Sequence, residues 1–172
     1  MIRIFLLALT LLFLATSIVR ADFSDGVFAY LKGDFDSAHA TLRPLAETAD
    51  HGLAQYWMGV MYLQGQGVEQ SYEEAAKWLR KASEKSVPQA QHKLANLYMK
   101  GLGVPRDYEY AYAWYRTAAA SEHKLSINMV DKAKEYLSAE ELKEANKLSA
   151  EFISKFGLKT EQKAAATQTG NR

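Results

Sequence analysis

The sequence predicts an all-α protein, a short solenoid of stacked helix pairs. Three observations lead there. First, Tyr62-Leu63-Gln64-Gly65-Gln66-Gly67-Val68 returns 36 residues later as Tyr98-Met99-Lys100-Gly101-Leu102-Gly103-Val104. Second, the flanks return in step: Ala54 with Ala90, Tyr72 with Tyr108, Ala75 with Ala111, Trp78 with Trp114, Ala82 with Ala118. Third, apolar residues elsewhere fall at helical spacing, with no alternating run of strand type and only three prolines. A fixed period of this length marks one helical unit stacked on copies of itself.

The elements follow in order. Helices are predicted over about 25–32, 36–48, 53–64, 72–85, 89–100, 108–121, 125–136 and 139–156. Ser71-x-x-Glu74 and Ser138-x-x-Glu141 are capping boxes, in which hydroxyl and carboxylate each satisfy a free backbone donor. Asp107 caps the helix after it, and Pro88 suits a first helical position. Gly65 and Gly67, with Gly101 and Gly103, stand where the preceding helix must stop and the chain reverse. Ala54, Ala75 and Ala82 are small where helices approach closely, and Trp78 and Trp114 fill the space between layers.

The ends of the array differ from its middle. Leu31-Lys32-Gly33-Asp34-Phe35-Asp36 keeps a single glycine, and Ala38, Leu42 and Leu45 stand in for Ala75, Leu79 and Ala82. At the other end Ser126 takes the slot of Ala54 and Ala90, and Lys134 that of Tyr62 and Tyr98. Terminal repeats have one neighbour each and must turn a polar face to water.

Residues 1–21 read as a signal peptide. Arg3 precedes an apolar run from Ile4 to Val19, and Val19-Arg20-Ala21 offers small residues at the two cleavage-site positions. The rival is an uncleaved anchor, for which the run is short. The repeat domain is then 22–158: a degenerate repeat at about 25–52, repeats at about 53–88 and 89–124, and a cap at 125–158. Residues 159–172, polar and rich in Ala, Thr and Gln, read as a disordered tail. The chain is expected to be exported, periplasmic or secreted.

Composition narrows the function classes. With 48% hydrophobic residues in 172, the chain is long enough for one domain with a core. A net charge of +1 gives no nucleic-acid footprint. There is no cysteine, hence no disulfide and no thiolate chemistry.

The pattern Ala54-x-x-x-Met58-Gly59-x-x-Tyr62-x-x-Gly65-x-Gly67-Val68, then Tyr72-x-x-Ala75-x-x-Trp78-Leu79-x-x-Ala82, resembles the Sel1-like repeat, a relative of tetratricopeptide repeats. A second copy, from Ala90 to Ala118, matches as well. The resemblance covers roughly residues 33 to 136. It implies a right-handed α/α solenoid with a closing helix as its cap, and a protein-interaction role.

Catalytic signals are thin. Gly65-x-Gly67 lacks the third glycine of a dinucleotide turn and the Lys-Ser/Thr of a P-loop, and it follows a helix. Ser121-x-x-Lys124 matches one element of penicillin-recognising enzymes, but Ser-Asp-Asn and Lys-Thr-Gly are absent from the sequence. His39, His51, His92 and His123 are scattered, with no i, i+4 pair, so no metal site and no cofactor are predicted. Glu73, Glu74, Glu140, Glu141 and Glu144 read as solvated helix starts. Tyr108, Tyr110, Tyr112 and Tyr115 crowd one helix and read as packing residues with their hydroxyls at the surface.

Function is sought where the two good copies differ. Ala54/Ala90, Met58/Leu94 and Tyr62/Tyr98 keep their chemistry, whereas Trp57/Lys93, Val60/Asn96 and Gln64/Lys100 change it. The changing set is spaced three and four, along one side of the first helix of each pair. First helices line the concave surface of a solenoid. Trp57, Val60, Gln64, Lys93, Asn96 and Lys100 are therefore predicted to face a partner. For Trp57 the competing role is packing on the preceding repeat. The reading is a non-catalytic adaptor of the bacterial cell envelope, binding a protein or peptide on its concave face. It implies no nucleic acid, no metal, and membrane contact only through an uncleaved signal segment. The alternatives are an inhibitor or immunity protein for an exported toxin, and a hydrolase acting on cell wall or β-lactams, both of which rest on the resemblance.

Overall fold

The structure, a computed structural model, describes residues 23–158. The predicted signal peptide and tail lie outside the described residues. Among these there are eight helices and no strand. They are α1 (its described part, residues 23–31), α2 (Phe35–Glu47), α3 (Gly52–Gln64), α4 (Tyr72–Glu84), α5 (Pro88–Lys100), α6 (Tyr108–Ala120), α7 (Lys124–Lys134) and α8 (Ala139–Phe156).

Local chemistry sets the boundaries. Ser71 accepts from the Glu74 amide, Asp107 from the Tyr110 amide, and Pro88 opens α5. Gly65 and Gly101 end α3 and α5 in the left-handed conformation, at φ 67° and 68°. One expectation is corrected. The reciprocal capping box forms at Ser138 and Glu141, but at Ser71 only half of it does. The Glu74 carboxylate is drawn instead to Lys77, at 2.5 Å along the exposed face.

The second glycine of each turn has a steric reason. A Cβ on Gly67 would lie 2.5 Å from the Phe35 carbonyl oxygen, and one on Gly103 2.1 Å from that of Tyr72. Each turn is thus pressed against the first residue of the preceding second helix, which only glycine permits.

The other turns carry a repeat that residue types conceal. Asp50, Ser86 and Glu122 all take positive φ, at 50°, 60° and 63°. They are spaced at the 36-residue period and lie between a second helix and the next first helix. The left-handed conformation strains a residue bearing a Cβ.

Packing builds two continuous clusters. Ala38, Leu42, Leu45, Ala54, Met58, Met61 and Trp78 form the first. Leu79, Ala90, Leu94, Trp114, Tyr115 and Phe152 belong to the second. Helix α4 is shared, since Trp78 faces one cluster and its neighbour Leu79 the other. The closing helix departs from the pair pattern. α8 does not run along α7; it packs on α6 and reaches α4. Phe152 and Phe156 cover Trp114, with ring centroids 4.5 Å and 5.6 Å away. That cover leaves Trp114 3% exposed.

Candidate interaction face

The first helices form the closer-spaced layer. α3 meets α5 and α5 meets α7, whereas α4 and α6 have no comparable contact. The inner surface therefore belongs to α3, α5 and α7, and the residues that change between repeats are on α3 and α5.

The six predicted partner-facing residues do not behave alike. Gln64 and Lys100 are exposed, and Trp57, Lys93 and Asn96 are half-buried. Val60 is a correction: it is 5% exposed, so it is a packing residue. Helix α3 sits between α1 and α5, and a short side chain there does not reach past its neighbours. Trp57 packs on the preceding pair, its ring 4.7 Å from Tyr30, and lies 5.5 Å from Tyr56 of its own helix; it remains only half-buried. The Tyr30 hydroxyl lies 2.6 Å from Gln64 Oε1 and 2.5 Å from Gln66 Oε1. With one proton, it donates to one of them at a time.

Helix α5 contributes the polar centre. Tyr115 is fully buried, against the expectation that the tyrosine hydroxyls lie at the surface. Its hydroxyl donates to Asn96 Oδ1 at 2.7 Å. A buried phenol must place its proton, so the Asn96 oxygen turns inward and its NH2 group turns away. Burial also pushes the Tyr115 pKa up. Lys93 lies one turn before Asn96. Its half-burial lowers the pKa of its ammonium. Neither α3 nor α5 contains an Asp or Glu to pair with it.

The structure also joins residues that are far apart in sequence. His92 and His123 stand 4.9 Å apart, and each Nδ1 lies 2.9 Å from the buried Ser126 Oγ. Burial, then the nearby His123 and Lys93, bring the His92 pKa down to about 4. Burial lowers that of His123 as well. The scattered histidines are thus partly a cluster at the contact of α5 with α7. No group of three or more His, Cys, Asp or Glu that could hold a metal occurs among the described residues. Gln55 and Gln91, one period apart, are buried, and their amides donate to Ala46 O at 3.2 Å and Ser83 O at 3.1 Å. They tie each first helix to the end of the preceding second helix. Their recurrence was visible in the sequence, but glutamine reads as a surface residue.

Other candidate chemistry resolves into structure. Ser121 is the C-cap of α6 and accepts from the Leu158 amide at 3.3 Å. Glu74, Glu140 and Glu144 pair with lysines three residues on, all exposed. Two cavities lie elsewhere on the surface. One of about 530 Å³ is lined by Arg80, Tyr98, Tyr110, Trp114 and Phe152, among others. The other, of about 610 Å³, is lined by His39, Arg43, Tyr62 and Ser71, among others. Neither includes a residue of the inner strip. No described helix is long and apolar enough to cross a membrane.

Comparison with known proteins fits this geometry. The Sel1 repeat family model matches residues 52–87 and 88–123. The fold is similar to that of a protective antigen of uropathogenic Escherichia coli strains, described as displaying an SLR fold. The TM-score is 0.78 at 30% identity, over 87% of this chain and 32% of the antigen, so the chain spans under a third of that protein. A Sel1 repeat protein from Oxalobacter formigenes is similar with a TM-score of 0.60 at 33% identity, over 66% of this chain and 88% of that one. No curated protein sequence matches the chain. Two in-phase matches, their turns closed by the same pair of glycines, and a solved relative covered over most of its length together place this chain in the Sel1-repeat family.

Proposed function

We propose that this chain is an exported, non-catalytic adaptor of the bacterial cell envelope that holds a protein or peptide along the inner face of α3 and α5. Sel1-repeat proteins are in general protein-interaction scaffolds. One observation carries the reading furthest. Lys93, Asn96 and Lys100 stand on the inner face at positions where the repeat does not fix the residue type, with donors that no packing role uses. A preformed face of this kind loses little conformational entropy when it binds. Export rests on Arg3, the apolar run from Ile4 to Val19, and Ala21. The cap role of Ser121 speaks against it as a nucleophile.

The test is capture from an envelope extract by the tagged chain, compared with Trp57→Ala and Lys93→Glu, each with its melting temperature measured. Loss of a specific partner in Lys93→Glu, with melting unchanged, is expected. Unchanged capture in both variants overturns the inner-face reading. A lowered melting temperature in Trp57→Ala alone assigns that residue to packing on Tyr30.

A further inference from the structure

We infer that the partner presents an acidic peptide segment, and that the Lys93 ammonium and the Asn96 amide receive its carboxylates. This rests on the inner-face reading above and gives it a chemistry.

Unbalanced positive charge is confined to a few helices. The second helices and the cap nearly balance their charges: α4 sets Glu73, Glu74 and Glu84 against Lys77, Arg80 and Lys81, and α8 sets Glu140, Glu141, Glu144 and Glu151 against Lys143, Lys147 and Lys155. Of the first helices, α1 carries Asp25, α3 carries no charge, α5 carries Lys93 and Lys100 with no acid, and α7 sets Asp131 against Lys124, Lys132 and Lys134. The inner face is therefore basic along α5 and α7, although the whole chain is close to neutral, with a formal charge of +1. Fields of this kind select an anionic partner and speed its encounter.

The polar atoms agree in detail. Several exposed lysines elsewhere are paired within their own helix, as Lys77 with Glu74, Lys147 with Glu144 and Lys155 with Glu151, and those left unpaired, such as Lys124 and Lys132, are open to solvent. Lys93 is half-buried and has no hydrogen-bond or ion-pair partner among the described residues. A partly desolvated ammonium without a counter-ion is unfavourable, and an incoming carboxylate relieves it. Asn96 is three residues on, on the same side of α5. Its oxygen is held by Tyr115, so what it offers a ligand is two N–H donors. Lys100 extends the row by one more turn. Trp57, one period before Lys93, adds an aromatic edge that suits an apolar side chain beside the acids.

The experiment selects short random peptides displayed on phage against the immobilised full chain. An all-glutamate peptide, an all-lysine peptide and phosphatidylglycerol vesicles serve as defined probes. Selected peptides are expected to be rich in Asp and Glu. Their affinity should fall roughly tenfold or more in Lys93→Glu, and less in Lys93→Gln and Asn96→Leu. It should also fall at about 1 M salt, where screening acts within roughly 3 Å. Lys81→Glu, on α4, should change nothing. Peptides that Lys100→Trp blocks by bulk, but that carry no acidic excess, overturn the acidic chemistry and leave the inner face standing. Acidic peptides indifferent to both Lys93→Glu and Lys100→Trp overturn both. Binding to the vesicles without binding to acidic peptides overturns the peptide as occupant, and a selection that yields no binder overturns the inference.

Discussion

The Tyr115 hydroxyl on α6 donates a hydrogen bond to Asn96 Oδ1 on α5 across 2.7 Å, and in doing so joins the packed side of the helix pair to its inner face. Tyr115 is at 0% exposure, while Asn96, whose amide it orients, is half-buried. Core packing thereby decides which atoms the inner face presents. Tyr115→Phe should lower stability by about 0.5–1.5 kcal/mol in urea unfolding, the usual net worth of one hydrogen bond. It should also weaken acidic-peptide binding, because the Asn96 amide is then free to turn. Equal binding with reduced stability would detach the two effects.

The closing helix depends on Trp114. With that ring buried under Phe152 and Phe156, Trp114→Ala should cost about 3–5 kcal/mol. Phe152→Ala should cost less, and should raise amide exchange in α8 before α3. Thermal unfolding that does not move in Trp114→Ala contradicts the packing.

Two kinds of turn should respond oppositely to substitution. Ser86 and Glu122 carry side chains at positive φ, so Ser86→Gly and Glu122→Gly should each raise stability by up to about 1 kcal/mol. Gly103→Ala should instead lower it by about 2–3 kcal/mol, since its Cβ would meet the Tyr72 carbonyl. Melting temperatures of the three variants decide the point.

Stability should fall with acid through the histidine cluster. The folded pKa of His92, about 4, lies below the free value near 6.5, so the unfolded chain binds the extra proton between them. Unfolding free energy then rises with pH across that window and is lost as pH drops from about 6.5 toward 4. His123, shifted in the same direction, adds to the slope. His92→Gln should flatten the melting temperature against pH between these values. An unchanged slope would show that the pair carries no such linkage.

Much of the fold was legible because it depends on residue types that recur. Glycines at 65, 67, 101 and 103 and tryptophans at 78 and 114 announce turn and filling alike, since few other residues fit those slots. The left-handed turns at Asp50, Ser86 and Glu122 were hidden, because three different residues share one backbone state. His92 and His123 lie 31 positions apart, and only the stacking of α5 against α7 brings them together. On the candidate face, period alone placed Lys93, Asn96 and Lys100 on one side of α5. It could not show that Val60 sinks between neighbouring helices or that Tyr115 claims the Asn96 oxygen, because both follow from which helix lies beside which.

The central claim is that binding occurs on the inner face of the first helices. Its most direct measurement is photo-crosslinking in cells with benzoylphenylalanine placed singly at Gln64, Asn96, Lys100, Lys77 and Glu151. The account predicts that the first three positions capture one and the same polypeptide, and that Lys77 on α4 and Glu151 on α8 do not. Capture from Lys77 or Glu151, with none from Asn96 or Lys100, would place the partner on the outer helices and contradict it.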